Sequence, residues 1–440
     1  QSRRQAAEAR SDDCHFAHRH VSVRRKINIQ LELTPQRVEL SPDQPIVILG
    51  AGLGGLSLAD ALADRGWPAP IVLIDRRGAW SNDRTWCTWL TGPLRYAELS
   101  SHRWTAWRTV RGGAEARGGS RAHPYVRIEA ATLYDRVLTR LDALSSCEIR
   151  TDEAVLAIDA SGPVPIVQTT RERFEAGLVV DALGASSPLR APVDPTSGPA
   201  LSQRFLGWEV RAPAGTFDPQ TVTLMDFRAS GPDGVDFLYV LPFSGERALV
   251  EHTSIGVGGP GAATRRSALT VELDAIAGPG RWEREREERG LIPMTATPFP
   301  LSHGRGTCTV GGAAGAVRPS SGYAFSRTQR HVSALADAIT GGRPLPQAVA
   351  PPRFAALDRV FLTALAGAHD GGEELFWRLA AGVDAGPFAR FMTDVSTPWD
   401  EARIIAALPL LAMAGAAGRA LGSPAGLRAA VQVLSRRRSP

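Results

Sequence analysis

The sequence predicts an α/β fold, with a Rossmann-like domain, a second domain of antiparallel sheet and a helical C-terminal part. Three observations carry that prediction. A βαβ unit opens near Pro45, short alternating segments fill residues 200–300, and helical periodicity returns from about residue 325. At 440 residues the chain is long enough for two domains, and 43% hydrophobic with 22% charged residues is a globular composition.

Residues 1–43 are polar, with a basic run at Arg24, Arg25 and Lys26. They read as a disordered lead-in and carry no apolar core of the signal-peptide kind. At Pro45 the character changes. "PIVILG" is a continuous apolar run, as expected of a buried parallel strand. "LSLADALADRG" follows with apolar residues at helical spacing and Gly66 as its C-terminal cap, and "PIVLID" is a second buried strand. The segment Gly112–Gly119 is low in complexity and reads as a loop. "RFLGWEV", "TVTLMDFR" and "VDFLYVLPF" alternate between apolar and polar residues, as antiparallel strands do. The expected boundaries are 44–195 with 305–345 for the Rossmann-like domain, 196–304 for the sheet domain and 346–440 for the helical region.

The first βα turn carries chemistry. "ILGAGLGGLSL" places Gly50, Gly52 and Gly55 in a GxGxxG pattern, with Ala51, Leu53 and Gly54 between them. Gly50 permits the tight turn, Gly52 lets backbone approach a pyrophosphate, and Gly55 lets the helix pack on the strand. The unpaired N–H groups of the helix then face the phosphates. Asp75, at the end of the second strand, is placed to accept a hydrogen bond from a ribose hydroxyl. The pattern is weak alone but has the right strand, helix and acid around it. Two later segments favour FAD over NAD. One puts Leu178–Val180 ahead of Gly184, Ser186 and Arg190. The other puts a strand at Thr307–Val310 ahead of Gly311, Gly312, Gly315 and Pro319, then a helix starting near Tyr323. In large flavoproteins such a segment lies beside the isoalloxazine ring, where a helix N-terminus stabilises negative charge on reduced flavin.

"GERALVEHTSIG" raises a separate question. Leu249 and Val250 read as a buried strand, and Glu251 then stands at its end. That is either a solvated carboxylate or an acid held in an apolar site. In a regular strand His252 points to the opposite face.

Composition narrows the partners. The net charge of +5 favours acidic surfaces, but there is no helix-turn-helix, zinc-finger or RNA-binding signature, so nucleic acid is not expected. Cys14, Cys87, Cys147 and Cys308 lie far apart, so there is no metal-ligand spacing, and the usage fits a reducing cytoplasm. The uncharged stretches Pro45–Ala59 and Ile404–Gly418 are shorter than a membrane span of about 20 residues, and Pro409 interrupts the second.

Several segments together resemble the bacterial lycopene β-cyclases: "GAGLGGLSLA", "LIDRRGAWSNDRTWCTW", "RFLGWEV", "TLMDFR", "FLYVLPFSGERALVEHTS", "GLIPMT" and "GGAAGAVRPSSGYAFSRTQRH". The match runs from about Pro45 to about Pro409, and "NDRTWCTW", "MDFR" and "VEHTS" are specific to the cyclases. The resemblance implies a fold of the para-hydroxybenzoate hydroxylase type, reduced FAD, NAD(P)H as reductant, and a carotenoid substrate closed into rings with no net redox change. The family's acid lies in an apolar–apolar–Glu–acid–Thr motif, which Glu251 matches. His252 stands where the family often has a second acid, which leaves a second carboxylate role at that position unsupported.

Ring closure needs a proton on an isolated alkene, so the acid must be protonated and water excluded. Burial raises a carboxyl pKa and suits Glu251 to the task. The resulting cation needs negative charge or π density nearby, for which Trp86, Trp89, Trp208, Phe227 and Tyr239 are candidates. Asp226 and Arg228 share a strand face if the strand is regular, and are expected to pair or to support the site. His331 is expected to be structural. A hydrocarbon substrate lives in membrane. Ile404, Ile405, Leu408, Leu410 and Leu411, with Arg436 to Arg438 in a terminal amphipathic helix, suggest reversible attachment to the inner membrane from the cytoplasm. A flavin monooxygenase or reductase on another polyprenoid, and a non-catalytic carotenoid-binding flavoprotein, are the alternatives.

Overall fold

A computed structural model describes residues 44–190, 198–227, 234–368 and 371–422. The lead-in, Arg228 and the terminal arginine helix lie outside them. The described residues form four sheets and nine α-helices.

Five parallel strands make the first sheet in the order β18-β12-β1-β2-β8, where β1 is Ile46–Leu49, β2 Ile71–Ile74, β8 Cys147–Arg150, β12 Leu178–Asp181 and β18 Thr307–Thr309. The three central strands, β12, β1 and β2, read as apolar runs because both faces are covered, whereas the edge strands β8 and β18 do not. On one face Ile46, Ile48, Leu73 and Val180 pack on helices α1 (Leu53–Asp64), α2 (Ala130–Asp142) and α4 (Phe325–Thr340). On the other, Val47, Leu49, Val72 and Val179 meet Val167 and Phe174 of a small antiparallel sheet, β9 (Val155–Asp159), β10 (Ile166–Thr169) and β11 (Arg173–Glu175). α1 ends as expected, with Gly66 at φ +65°.

A seven-stranded sheet runs in the order β17-β13-β16-β15-β14-β5-β6. Its members are β5 (Ala106–Arg111), β6 (Ala114–Gly119), β13 (Ala200–Arg211), β14 (Thr221–Asp226), β15 (Val235–Pro242), β16 (Arg247–Gly256) and β17 (Glu283–Thr295). The segment expected to be a loop, Gly112–Gly119, is therefore mostly strand. Gly112 and Gly113, at φ +54° and +83°, make the hairpin turn, and Gly118 leaves room for the Trp107 indole: a Cβ there would come within 2.4 Å of Nε1. In the seven-stranded sheet β14 and β5 run parallel and the other neighbours antiparallel. The fourth sheet, β3 (Thr85–Trp89), β4 (Ser100–Trp104) and β7 (Tyr125–Glu129), is antiparallel in the order β3-β7-β4.

The large sheet has two different faces. On one, Leu206, Trp208, Leu238 and Val250 pack on α3 (Ala262–Ala277). On the other, Leu224, Phe237, Leu249 and Ile255 join a core with α5 (Pro352–Gly367), α6 (Gly372–Ala381), α7 (Ala385–Met392) and α8 (Pro398–Ala407). α9 (Leu410–Gly422) packs on α5. β16 lies inside the sheet between β13 and β15, so Glu251 is at mid-strand and not at a strand end as expected. The polar letters of "EHTS" concealed the continuation, which is buried because both faces are covered.

Candidate active site

Alternation along β16 sends Leu249, Glu251, Thr253 and Ile255 to the face away from α3. Leu249, Glu251 and Ile255 line a cavity of about 370 Å³, within the range of small-molecule sites. Its walls are mostly apolar and aromatic: Trp86 and Trp89 from β3, Tyr125 from β7, Phe205 from β13, Phe237 and Tyr239 from β15, and Phe325, Phe388 and Phe391 from the helices. Trp89 is held at 4.5 Å from the Tyr125 ring and 5.2 Å from the Tyr323 ring. The Tyr125 hydroxyl joins those of Tyr239 at 2.8 Å and Tyr323 at 2.9 Å.

Glu251 is 7% exposed. Its Oε1 accepts a 2.7 Å hydrogen bond from Thr253 Oγ1. Burial deprives the carboxylate of hydration, and the negative charge of Glu288 adds to the effect. Together they push the carboxyl up to about 8, against the lowering influence of the Thr253 bond. His252 faces α3, where burial lowers its pKa and favours the neutral ring. His331 is buried on α4, and loss of hydration lowers it to about 4.

The other residues expected at the site divide. Trp86, Trp89 and Tyr239 line the cavity. Trp208 does not, because alternation from Gly207 turns it under α3, where it stacks on Trp282 at 5.6 Å and donates to Glu287. Asp226 and Phe227 are buried but lie off the cavity, Phe227 against Phe237 at 6.0 Å. The pairing of β14 slips between Thr223 and Asp226, so the regular strand on which Asp226 was expected to share a face with Arg228 is interrupted there. Arg228 is outside the described residues.

Glu288, missed in the sequence, does line the cavity, as do Tyr125 and Tyr323. The segment "EREREERG" alternates only as far as Glu287 and breaks at the Glu287–Glu288 pair, so no local period marks Glu288.

Three glycine turns meet at the carboxyl ends of β1, β12 and β18. Gly50 takes φ +99° and Gly55 packs so tightly that a Cβ would lie 1.9 Å from the Gly50 carbonyl oxygen. Gly54 lies against Gly311, and Gly312 against Gly184. A Cβ on Gly52 would meet nothing within 4 Å, so that position faces open space at the N-terminus of α1, whose first turn holds no acidic residue and no side-chain cap. This is a cradle suited to a dinucleotide pyrophosphate. Asp75 anchors it. Its carboxylate accepts from Ala51 N at 2.7 Å, Arg77 N at 2.8 Å and Arg77 Nε at 3.0 Å. α4 begins at Phe325, two residues later than expected, and its uncapped N-terminus opens on the cavity. Pro319 sits in the preceding turn, where Gly322 N donates to Arg318 O at 2.8 Å. Gly315 takes φ +71° against Phe299.

The sequence model described as lycopene cyclase protein matches residues 45–417. The chain belongs to the lycopene cyclase family. A relative of this family, the lycopene beta-cyclase of Paracoccus sp. (strain N81106 / MBIC 01143), is 29% identical over 314 residues, 67% of this chain and 73% of that protein. Among solved structures, a flavoprotein/dehydrogenase from Cytophaga hutchinsonii superposes with TM-score 0.54 at 15% identity, over 82% of this chain and 95% of that one. A geranylgeranyl bacteriochlorophyll reductase-like protein from Thermoplasma acidophilum gives 0.52 at 13%, over 86% and 96%. The architecture expected from the sequence, a flavoprotein-type α/β fold with an antiparallel sheet, is thus the fold of this family member.

Proposed function

We propose that the chain is a lycopene β-cyclase, closing the linear end groups of lycopene into β-rings with no net redox change. The observation that carries this is Glu251, a carboxyl placed at mid-strand on an apolar, aromatic-walled cavity that favours its protonated form. Such an acid can deliver a proton to an alkene, which is too weak a base for an ionised carboxylate to serve. The Thr253 hydroxyl orients the carboxyl. The rings of Trp86, Trp89 and Tyr239 supply π density to the tertiary cation, and the mostly apolar lining disfavours water beside it.

FAD suits the three glycine turns, with Gly50–Gly55 and Asp75 at the pyrophosphate end and Gly312, Gly315 and Pro319 towards the cavity. In its reduced form it supplies negative charge near the cation, and NAD(P)H is the proposed reductant.

The chain reaches its substrate from the cytoplasmic surface of the inner membrane. Among the described residues no single helix is long and apolar enough to cross a bilayer. α8 and α9 meet at a 114° bend and present Trp399, Ile405, Leu410 and Leu411, exposed by 81, 46, 61 and 91%. That apolar corner is the proposed contact. Ile404 and Leu408 are not part of it, since they are buried under α8 in the core.

The test is expression in lycopene-accumulating cells with pigment analysis, alongside Glu251→Gln. The parent should yield β-rings, and the variant should keep flavin and leave lycopene linear. With reduced flavin and no oxygen, a cyclase turns over and a monooxygenase does not. Normal cyclisation by Glu251→Gln would sink the proposed mechanism.

A further inference from the structure

Strand register places a second carboxyl in line with Glu251. Gly207 of β13 pairs with Glu251 on one side and with Glu288 of β17 on the other. Tyr239 of β15 pairs with Glu251 from the opposite flank. Directly paired residues share a face, so Tyr239, Glu251 and Glu288 form one row across the cavity floor, with a glycine between the two acids. Their backbones are about 10 Å apart, two strand spacings. Gly207 keeps the interval open, since a Cβ there would lie 3.3 Å from Glu251 Cβ and 3.4 Å from its Cγ.

The two acids are held differently. Glu251 takes a single hydroxyl bond. Glu288 accepts from Thr85 Oγ1 at 2.8 Å and pairs with Arg286 Nη2 at 2.8 Å. Arg286 also grips Glu209 Oε1 at 2.8 Å and the Asn82 carbonyl at 2.9 Å, and Arg127 donates to the same Glu209 oxygen. One carboxyl thus meets a lone hydroxyl and the other a hydroxyl and a guanidinium, and both face the same apolar space.

We propose that Glu288 is the proton acceptor that ends the cyclisation, and that its position selects the ring double bond formed. This rests on the cyclase reading above. The proton of the Glu251 carboxyl adds to the terminal double bond of the end group. The cation draws the electrons of the second double bond into the new ring carbon–carbon bond. A ring C–H bond then breaks, its electron pair becomes the ring double bond, and the proton goes to the Glu288 carboxylate. One proton enters and one leaves, with no electron transferred, and proton return from Glu288 to Glu251 resets the pair. Which C–H bond breaks depends on which hydrogen faces the acceptor, so a fixed acceptor gives one ring type.

The experiment uses the full chain with FAD and reductant on lycopene-loaded vesicles, comparing the parent with Glu288→Gln. Loss of the acceptor should lower kcat about a hundredfold with little change in KM. The residual product should contain rings with displaced double bonds. The alkaline limb of the rate profile should also move to lower pH, because the charge that raises Glu251 is gone. Other titratable groups on the cavity do not obscure this limb. Cys87 is pushed up to about 12, Tyr125, Tyr239 and Tyr323 are raised by burial, and Asp358 pairs with Arg318 and Arg327. Asp83 and Arg84, which also border the cavity, face each other at 3.8 Å. Wild-type rate, wild-type rings and an unmoved limb in Glu288→Gln would overturn the assignment. If that variant does not fold, Glu288→Asp decides: it keeps the charge and the limb but withdraws the acceptor by one methylene. At least a tenfold loss of kcat is expected, and a parental rate with a single ring type refutes the role. If the parent itself forms no ring, the cyclase reading fails instead.

Discussion

Raising the pH should destabilise this protein through Glu251. The carboxyl is held at about 8 in the folded chain against an ordinary value of 4.5. Between those values the unfolded chain has released the proton while the folded chain keeps it. Folding stability therefore falls as pH rises, by about 1.4 kcal/mol for each pH unit. Stabilisation is complete below about pH 4.5 and is lost as pH passes through about 8. From pH 5 to pH 8 the loss attributable to this one group is about 4 kcal/mol, a large part of the total stability of an ordinary domain. Glu251→Gln cannot ionise and lacks this slope. The assay is urea unfolding of both proteins at half-unit steps across this range, read as the difference between them. An infrared difference spectrum of parent against variant gives the same titration directly, since a protonated carboxyl has its own C=O band. Parallel stability profiles, or the absence of that band at pH 6, would show that Glu251 is ionised and that the site is not an acid trap.

Other expectations follow from single contacts. Thr253→Val removes the bond that lowers Glu251, so the alkaline limb of activity should move to higher pH, read in a rate profile. Gly52→Val places a side chain in open space, so thermal melting of the flavin-free protein should be unchanged while the visible absorbance of bound flavin disappears. Asp394→Asn breaks a buried network in which Asp394 and Asp358 face Arg318 and Arg327, and should cost about 3–5 kcal/mol in chemical unfolding.

What could be read in the sequence was what is local in the chain. The first glycine turn, Asp75 and the buried strands depend on neighbours a few residues away, and pattern reveals them. Glu251 was visible as an acid out of place, although its strand was taken to end too soon. Trp208 could have been excluded by counting alternation from Gly207. Glu288 could not be joined to Glu251 in the same way. It sits in "EREREERG", which resembles a solvated face, and its meaning comes from pairing with Gly207, some eighty residues earlier. The expected shared face of Asp226 and Arg228 rested on a regular strand, and no residue letter announces the slip in pairing before Asp226.

The meeting of Gly54 with Gly311 has a consequence for biosynthesis. The first glycine turn leaves the ribosome early, but the turn that completes the cradle is made only after more than half the chain has followed. At about 5–20 residues per second the interval is on the order of tens of seconds. Flavin capture is therefore a late event in the life of the nascent chain. A product truncated before Gly311 should not be rescued by feeding flavin, whereas full-length apoprotein should be.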